Sequence, residues 1–564
     1  MKKYIALLLM IFAFSGCEEF LSTDDLLNKN DQNFPAVESD LDASLAAIYQ
    51  PMAREQWGPF FLSVLVSDEA FGGGGPNDFK SLAIDRHRKN EENMLQSTWS
   101  LYYTGIFRAN KLMETIGNVD ELTDTKRNQV LGEAHFMRAW YYFSLARLFN
   151  GVPLFTVTEQ VMKPRATPAE VYAQIAADLK SAIEMLPAQS ISAMPSSRLG
   201  HASKWAAEAL LARVFLFYTG YYQTTDLPVA GGGSLSKSQV VGYLEDCINN
   251  SGHELAEDFR ELWPYTNPLT VEDYVYTADQ GLEWVGEEGD NNETVFEVRF
   301  GNRGGWGGNS SYRNQVVTAF SIRWQTDYAN VFPFGSGWGQ GTVNKKYVEQ
   351  WEQEAPQDPR IKMSVLDVDD PEEGIVEYED GGWTQQHDTH HWNKKYTAIT
   401  VWKNKEEGTI YNSYTAPLYG ASEGLWVKES QSLVLIRFAD VLLMHSELTE
   451  TANGLNAVRA RVGLEPVSYS FETLQEERKH ELFFEGVRYF DLLRWYRTNA
   501  GTILDENQSG VEVLNSKVPA VTDYNLSERI DATGGFWPIP ESEITLSNGV
   551  MEQNPGWQGS TGAL

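Results

Sequence analysis

Two stretches set aromatic rings among glycines and amides: GNRGGWGGNSSYRNQ, Gly301 to Gln315, and FPFGSGWGQG, Phe332 to Gly341, with Trp324 between them. A pyranose ring has apolar CH faces and a hydroxyl rim. Holding one takes an exposed aromatic face edged by amides, guanidinium groups or carboxylates, and loops supply both. Trp306 and Trp338 lead as platforms because their glycine neighbours bring no side chains to cover them; Trp324 is the third candidate. Asn309, Tyr312 and Arg313 stand just behind Trp306, and a second strip, SDEAFGGGGPNDF (Ser67 to Phe79), offers Asp68, Asn77 and Asp78. Trp140, Trp205 and Trp495 recur at helical spacing and belong to a core.

Other chemistries fit less well. Glycoside hydrolysis needs two carboxylates across a bond, one of raised pKa. With 78 acidic residues some pair is inevitable, and nothing in their order singles one out. HDTHH (His387 to His391) lacks cysteine and a helix to fix metal geometry, which points to surface histidines. KHEL at His480 is no zincin motif, because Phe484 stands where the second His is needed. DVDDPEEG (Asp367 to Gly374) offers hard oxygens for a structural calcium but departs from an EF-hand loop, with Pro371 at its fifth position; a solvated turn is expected. GGGG (Gly72 to Gly75) lacks the lysine of a phosphate cradle and is expected as a flexible loop.

The elements that must position these residues follow from periodicity. Apolar residues recur at three and four from Leu95 to Ile116, Asn128 to Phe149, Pro168 to Leu186 and His201 to Tyr218, which predicts four amphipathic helices. Their starts lie 33 residues apart within each pair, as in stacked helical hairpins, though a plain helical bundle gives similar spacing. Between about 226 and 433 the helical pattern fades. Glycine-rich turns alternate with strand-like pieces such as Thr294 to Phe300, and the span from Gly281 to Ser430 holds nine of the seventeen tryptophans. Helices are expected again over Val434 to Leu448, Leu455 to Arg461 and Glu472 to Trp495, and FWPIP and QNPGW are loop-like. Within the last helix Arg478, Glu481, Glu485, Arg488, Asp491 and Arg494 fall on one face, which predicts a ladder of ion pairs rather than a catalytic row.

The chain has 564 residues and a formal net charge of −33, which opposes nucleic-acid binding. Seventy aromatic residues exclude disorder. Its start carries Lys2 and Lys3, an apolar run from Tyr4 to Phe14, then Ser15, Gly16 and Cys17. Eleven apolar residues make about 16 Å of helix, half of a bilayer core of about 30 Å. A cleaved signal over 1–16 is therefore expected, with lipidation at Cys17 and a polar, acidic tether over 17–33. Cys247, among apolar neighbours, is expected in the core.

Five ordered segments resemble the SusD/RagB family of outer-membrane lipoproteins: Gly132 to Leu154, Arg198 to Phe217, Leu435 to Glu447 running on to Asn456–Leu464, Glu477 to Trp495, and WPIP with QNPGW. The resemblance implies one mainly α fold over 34–564. A tetratricopeptide-like scaffold would occupy about 34–225 and 434–564, with a loop-rich, partly β variable half at about 226–433. It implies a lipid-anchored protein on the extracellular face of the outer membrane that binds glycans without turning them over and delivers them to a SusC-like TonB-dependent transporter. Oligopeptide capture by the same architecture is the alternative. The resemblance also makes the Ser67–Phe79 strip the opposite wall of the site.

Overall fold

The structure is a computed structural model that describes residues 34–55, 57–286, 291–301, 313–382, 384–421 and 429–558. The signal, the tether and Cys17 lie outside the described residues, as do Trp306, Asn309 and Tyr312.

The architecture is mainly α. Helix α1 (Glu38–Arg54) and α2 (Pro59–Val66) are followed by strand β1 (Ala70–Gly73) and the long helices α3 (Gln96–Thr115), α4 (Asp124–Phe149), α5 (Pro168–Met185) and α6 (Lys204–Tyr222). Each long helix lies within a turn or so of its predicted span. Local chemistry sets their starts: the Thr123 hydroxyl accepts from Lys126 N (3.2 Å), Thr167 and Glu170 form a reciprocal capping box, and the Ser203 hydroxyl accepts from Ala206 N (3.0 Å). The predicted stripe of α4 (Val130, Ala134, Met137, Tyr141, Leu145 and Leu148) is fully buried. Its second half is buried all round, because α4 packs against both α3 and α5 and the chain's C-terminal segment closes its end. There Trp537 N donates to Leu148 O (2.7 Å) and Asn554 Nδ2 to Phe149 O (3.2 Å), satisfying carbonyls that a helix end leaves open.

Helix α7 (Lys237–Asn250) closes the first half of the frame and buries Cys247. In the middle of the chain, β2 (Thr294–Val298) and β3 (Gln340–Val343) are short strands among turns. The expected helix over Val434 to Leu448 is divided: Leu433–Arg437 is strand β4, antiparallel to β2, and α8 begins at Phe438 (Phe438–Thr449). Pairing with β2 satisfies the β4 backbone, which overrides a run whose spacing suits a helix equally well.

After α9 (Asn453–Arg461), the helix expected over Glu472 to Trp495 is also two: α10 (Phe471–Glu481) and α11 (Arg488–Tyr496). Between them Phe484 and Gly486 adopt φ values of 60° and 71°. At Gly486 the chain passes so close to Phe60 that a Cβ would lie 2.8 Å from its Cα. The six charged residues therefore form a buried three-dimensional network in place of a surface ladder. Arg478 joins Asp440 (2.6 Å) to Asp491 (2.9 Å), and Arg494 joins Asp491 (2.8 Å) to Glu447. Glu481 meets Arg360 (3.0 Å), Arg437 (2.9 Å) and Arg461, while Glu485 meets Lys395 (2.7 Å) and Arg437 (2.7 Å). Burial pushes the Glu481 carboxyl up, but the arginines around it hold it well below the usual carboxylate range. Because Arg360 and Lys395 come from the loop-rich part and Glu481 and Glu485 from the helical frame, these pairs lock one onto the other.

Of the tryptophans assigned to the core, Trp140 and Trp205 are buried; Trp495 is half-buried, its indole N–H donating to Glu447.

Candidate ligand-binding face

Strands β1 and β3 bring the two candidate strips together, with Ala70 opposite Val343 and Gly73 opposite Gln340. The ribbon continues past the strands: Gly74 N donates to Gly339 O (2.5 Å), Gln386 N to Gly74 O (2.8 Å) and Gln385 Nε2 to Gly339 O (2.8 Å). The Ser67–Phe79 strip is thus the neighbour of the Trp338 loop, not its opposite wall. Gly72 to Gly75, expected as a flexible loop, are buried. Gly73 has φ +59°, and a Cβ there would collide with the Gly339 carbonyl, so glycine is what permits the close backbone approach.

On this ribbon the Trp338 indole is half-buried. It stacks on Trp57 (centroids 5.6 Å apart, 11° between planes), and Trp57 meets Phe61 edge-on at 4.5 Å. The Arg313 guanidinium lies 5.7 Å from the Trp338 ring centre. Arg313 is itself buried, so it acts by supporting the ring and not as an exposed ligand contact. Trp57 escaped the sequence reading, although it shares with Trp306 and Trp338 a following glycine, Gly58.

Trp324 carries the exposed face. It is 56% exposed, the one tryptophan among the exposed large apolar side chains of the described residues, and its backbone sits at φ +58°. A bulky residue is an outlier there, costing on the order of 1–3 kcal/mol, which the surroundings must enforce. They do so through a staple: Thr326 donates from N (2.8 Å) and Oγ1 (3.0 Å) to Glu379, and Glu379 N donates to Gln325 Oε1 (2.9 Å). A Cβ on Gly382 would lie 2.7 Å from Trp324 Cδ1, so the glycine makes room for the indole.

Polar groups gather around Arg323, which links the Trp324 segment to the Trp338 loop. Arg323 donates to the Trp338 carbonyl (3.2 Å) and to Thr384 Oγ1 (3.3 Å) and lies 3.9 Å from Asp78, whose carboxylate accepts from Gly75 N (2.5 Å). Asn77 and Phe79 are exposed beside it. The arrangement offers an apolar ring face next to amide, guanidinium and carboxylate groups.

Asp68 does not belong to it. It is fully buried, gripped by Arg488 through Nε and Nη2 (both 2.9 Å) and by Asn507 (2.9 Å). Burial pushes its carboxyl up, but Arg488 outweighs that and keeps it below the usual range. Its place in an exposed-looking acidic, glycine-rich strip gave no hint of a partner 420 residues away.

The remaining candidates hold structure. His387 is buried, not at the surface, and burial together with Arg86 pushes its imidazole down to about 3. His390 bridges Asp369 (2.8 Å) and Asp380 (3.1 Å). In the acidic run Asp370 and Glu372 pair with Lys362, while Glu373 is buried against Lys394 (2.6 Å) and Tyr274. This is a pinned turn: lysines engage Asp370, Glu372 and Glu373, and His390 engages Asp369. Among the described residues no group of three His, Cys, Asp or Glu could hold a metal ion.

The fold is a tetratricopeptide-like helical frame with an aromatic ledge on its loop-rich side. Residues 22–216 match a family described as starch-binding associating with outer membrane, and residues 292–557 match the SusD family. The chain belongs to the SusD/RagB family. It is 25% identical over 592 aligned positions to SusD-like protein P2 of Formosa agariphila, covering 99% of this chain and all of that one. A solved laminarin binding SusD-like protein is similar at 25% identity and a TM-score of 0.69, over 93% of this chain and 100% of that one. Surface glycan-binding protein A from Bacteroides thetaiotaomicron, solved with laminarihexaose, shares the fold at a TM-score of 0.67 and 19% identity, over 92% of this chain and all of that one.

Proposed function

We propose that this protein is a lipoprotein on the extracellular face of the outer membrane. It captures a glycan on the ledge around Trp324 and passes it to a SusC-like TonB-dependent transporter. The observation that carries the reading is Trp324: an indole more than half exposed to solvent, and held in a strained backbone conformation by surrounding hydrogen bonds, offers a fixed apolar face to a ligand. A relative that binds laminarin makes a glucan the first ligand to try. An oligopeptide would draw on backbone pairing; the groups gathered here are an indole, a phenyl ring and polar side chains, which suit a sugar. Trp306, Asn309 and Tyr312 stay in the proposal as further contacts, with Trp338 and Arg313 as the ledge's support and Asn77 and Asp78 at its edge.

Binding without hydrolysis is supported by where the carboxyls raised furthest sit. Burial raises Glu69, Glu208 and Glu429 to about 8, and all three are interior. None stands at the ledge as an acid poised to protonate a leaving group. Lipidation at Cys17 would tether the fold through the acidic segment over 17–33, and docking to the transporter would need a surface of about 1,000 Å² or more.

Affinity electrophoresis of the chain lacking residues 1–17, through gels cast with laminarin, starch, xylan or mannan, tests the reading. Retardation by at least one polysaccharide with no release of reducing sugar is expected. Unretarded migration in every gel contradicts it.

A further inference from the structure

The helical frame carries a cleft remote from the ledge in sequence and sharing none of its residues. Its volume is about 710 Å³, within the range of about 300 to 1,000 Å³ typical of small-ligand sites. It forms where four helix ends converge. Helices α6 and α8 stop at Gln223 and Glu450, both left-handed caps, while α7 and α10 start from the capping boxes of Ser236 and Ser470. Leu216 and Leu448 form an apolar floor. At the mouth stand Tyr469, half-buried, and Phe471, 46% exposed and fixed edge-on against Trp495 at 5.9 Å. Among the described residues the Tyr469 hydroxyl makes no hydrogen bond. Hydroxyl groups of Thr219, Thr224, Thr225 and Ser238 line the sides.

Charge decides the ligand class. Glu450 pairs with Lys237 (2.8 Å), and Glu447 is held by Arg494 (2.8 Å) and the Trp495 indole N–H (3.2 Å). Both of these carboxylates thus already have cations; the third carboxylate of the lining, Asp226, is exposed and accepts from the Ser234 hydroxyl (3.2 Å). The cleft presents hydroxyl groups, one carboxylate able to accept from a sugar hydroxyl, two aromatic rings and an apolar floor, a set that complements a neutral polyol better than an anion or a hydrocarbon. We propose that this cleft is a second saccharide site, taking a short neutral oligosaccharide between Tyr469 and Phe471. Its ligand class rests on the glycan reading above; its geometry does not.

The test is nuclear magnetic resonance of the soluble chain with labelled leucine methyls and tryptophan indoles, titrated with laminaritriose, cellotriose and maltotriose. Shifts of the Leu216 and Leu448 methyls that saturate with one of these sugars are expected. They should persist in Trp324→Ala and weaken about fivefold or more in Phe471→Ala and Tyr469→Ala. Phe471 is exposed enough that its loss leaves the fold intact, and an unchanged leucine spectrum without sugar checks this. Movement of the Trp324 indole alone overturns the second site and leaves the ledge standing. Movement of the two leucines alone supports the cleft and leaves the ledge to the gel test above. If the leucines respond to none of the three sugars, the second site falls, and the ledge stands or falls by the gel test above.

Discussion

Two acidic residues ten positions apart in one strip illustrate how partner, and not composition, decides a role. Asp68→Ala strips Arg488 of its carboxylate and leaves a buried cation, a change that costs about 3–5 kcal/mol. The thermal midpoint should fall by many degrees. Asp78 is half-exposed and 3.9 Å from Arg323, so Asp78→Ala should move the midpoint by little. Equal effects in the two variants would refute the assignment. Glu429 supplies a pH dependence. Burial raises its carboxyl to about 8, with Ser413 and Arg313 only partly opposing. The folded state therefore holds a proton that the unfolded chain releases above its ordinary value of 4.5, so this group lowers stability as pH rises from there to about 8. In Glu429→Gln the fall in midpoint between about pH 5 and about pH 8 should shrink; an undiminished fall would show that the carboxyl is already ionised.

Among the elements, the pairing of β1 with β3 is what sets the ledge beside its polar edge. Gly73→Ala forces a side chain onto the Gly339 carbonyl at positive φ. It should lower the thermal midpoint and weaken glycan binding together, whereas Gly231→Ala, also at positive φ but in open space, should lower stability without touching affinity. Preserved binding in a destabilised Gly73→Ala protein would separate ribbon from ledge. The long helices α3 to α6 were legible because their stripes and caps are local properties of the chain. The breaks at Arg437 and Phe484 were not: β4 forms only because β2 arrives from far upstream, with Leu433 opposite Val298, and the turn after Glu481 is fixed by Phe60. The candidate site was legible only as a set of residue types. Glycine-flanked tryptophans and an amide-rich strip were visible, but which ring faces solvent depends on tertiary neighbours. Trp338 is covered in part by Trp57, while Trp324, the lesser candidate by its flanking residues, is the exposed one.

At the scale of the whole molecule, one continuous core joins the frame to the loop-rich part, and the buried pairs around Glu481 and Glu485 fix their orientation. A ledge so anchored is preformed, which limits the ordering cost of binding. Anchoring is tested by Cys17→Ala, which should move the protein from the outer-membrane fraction to the soluble one; continued membrane association would contradict a lipid tether. The most direct measurement of the central claim is calorimetric affinity for whichever polysaccharide retards the wild-type chain, compared with that of Trp324→Ala, alongside the thermal midpoints of both. Loss of about 50 to 80 Å² of stacked indole corresponds to roughly 1 to 2 kcal/mol at about 25 cal/mol per Å². The account predicts binding about five- to thirtyfold weaker at an unchanged midpoint; unaltered affinity, or weakening that appears only with a large fall in midpoint, would contradict it.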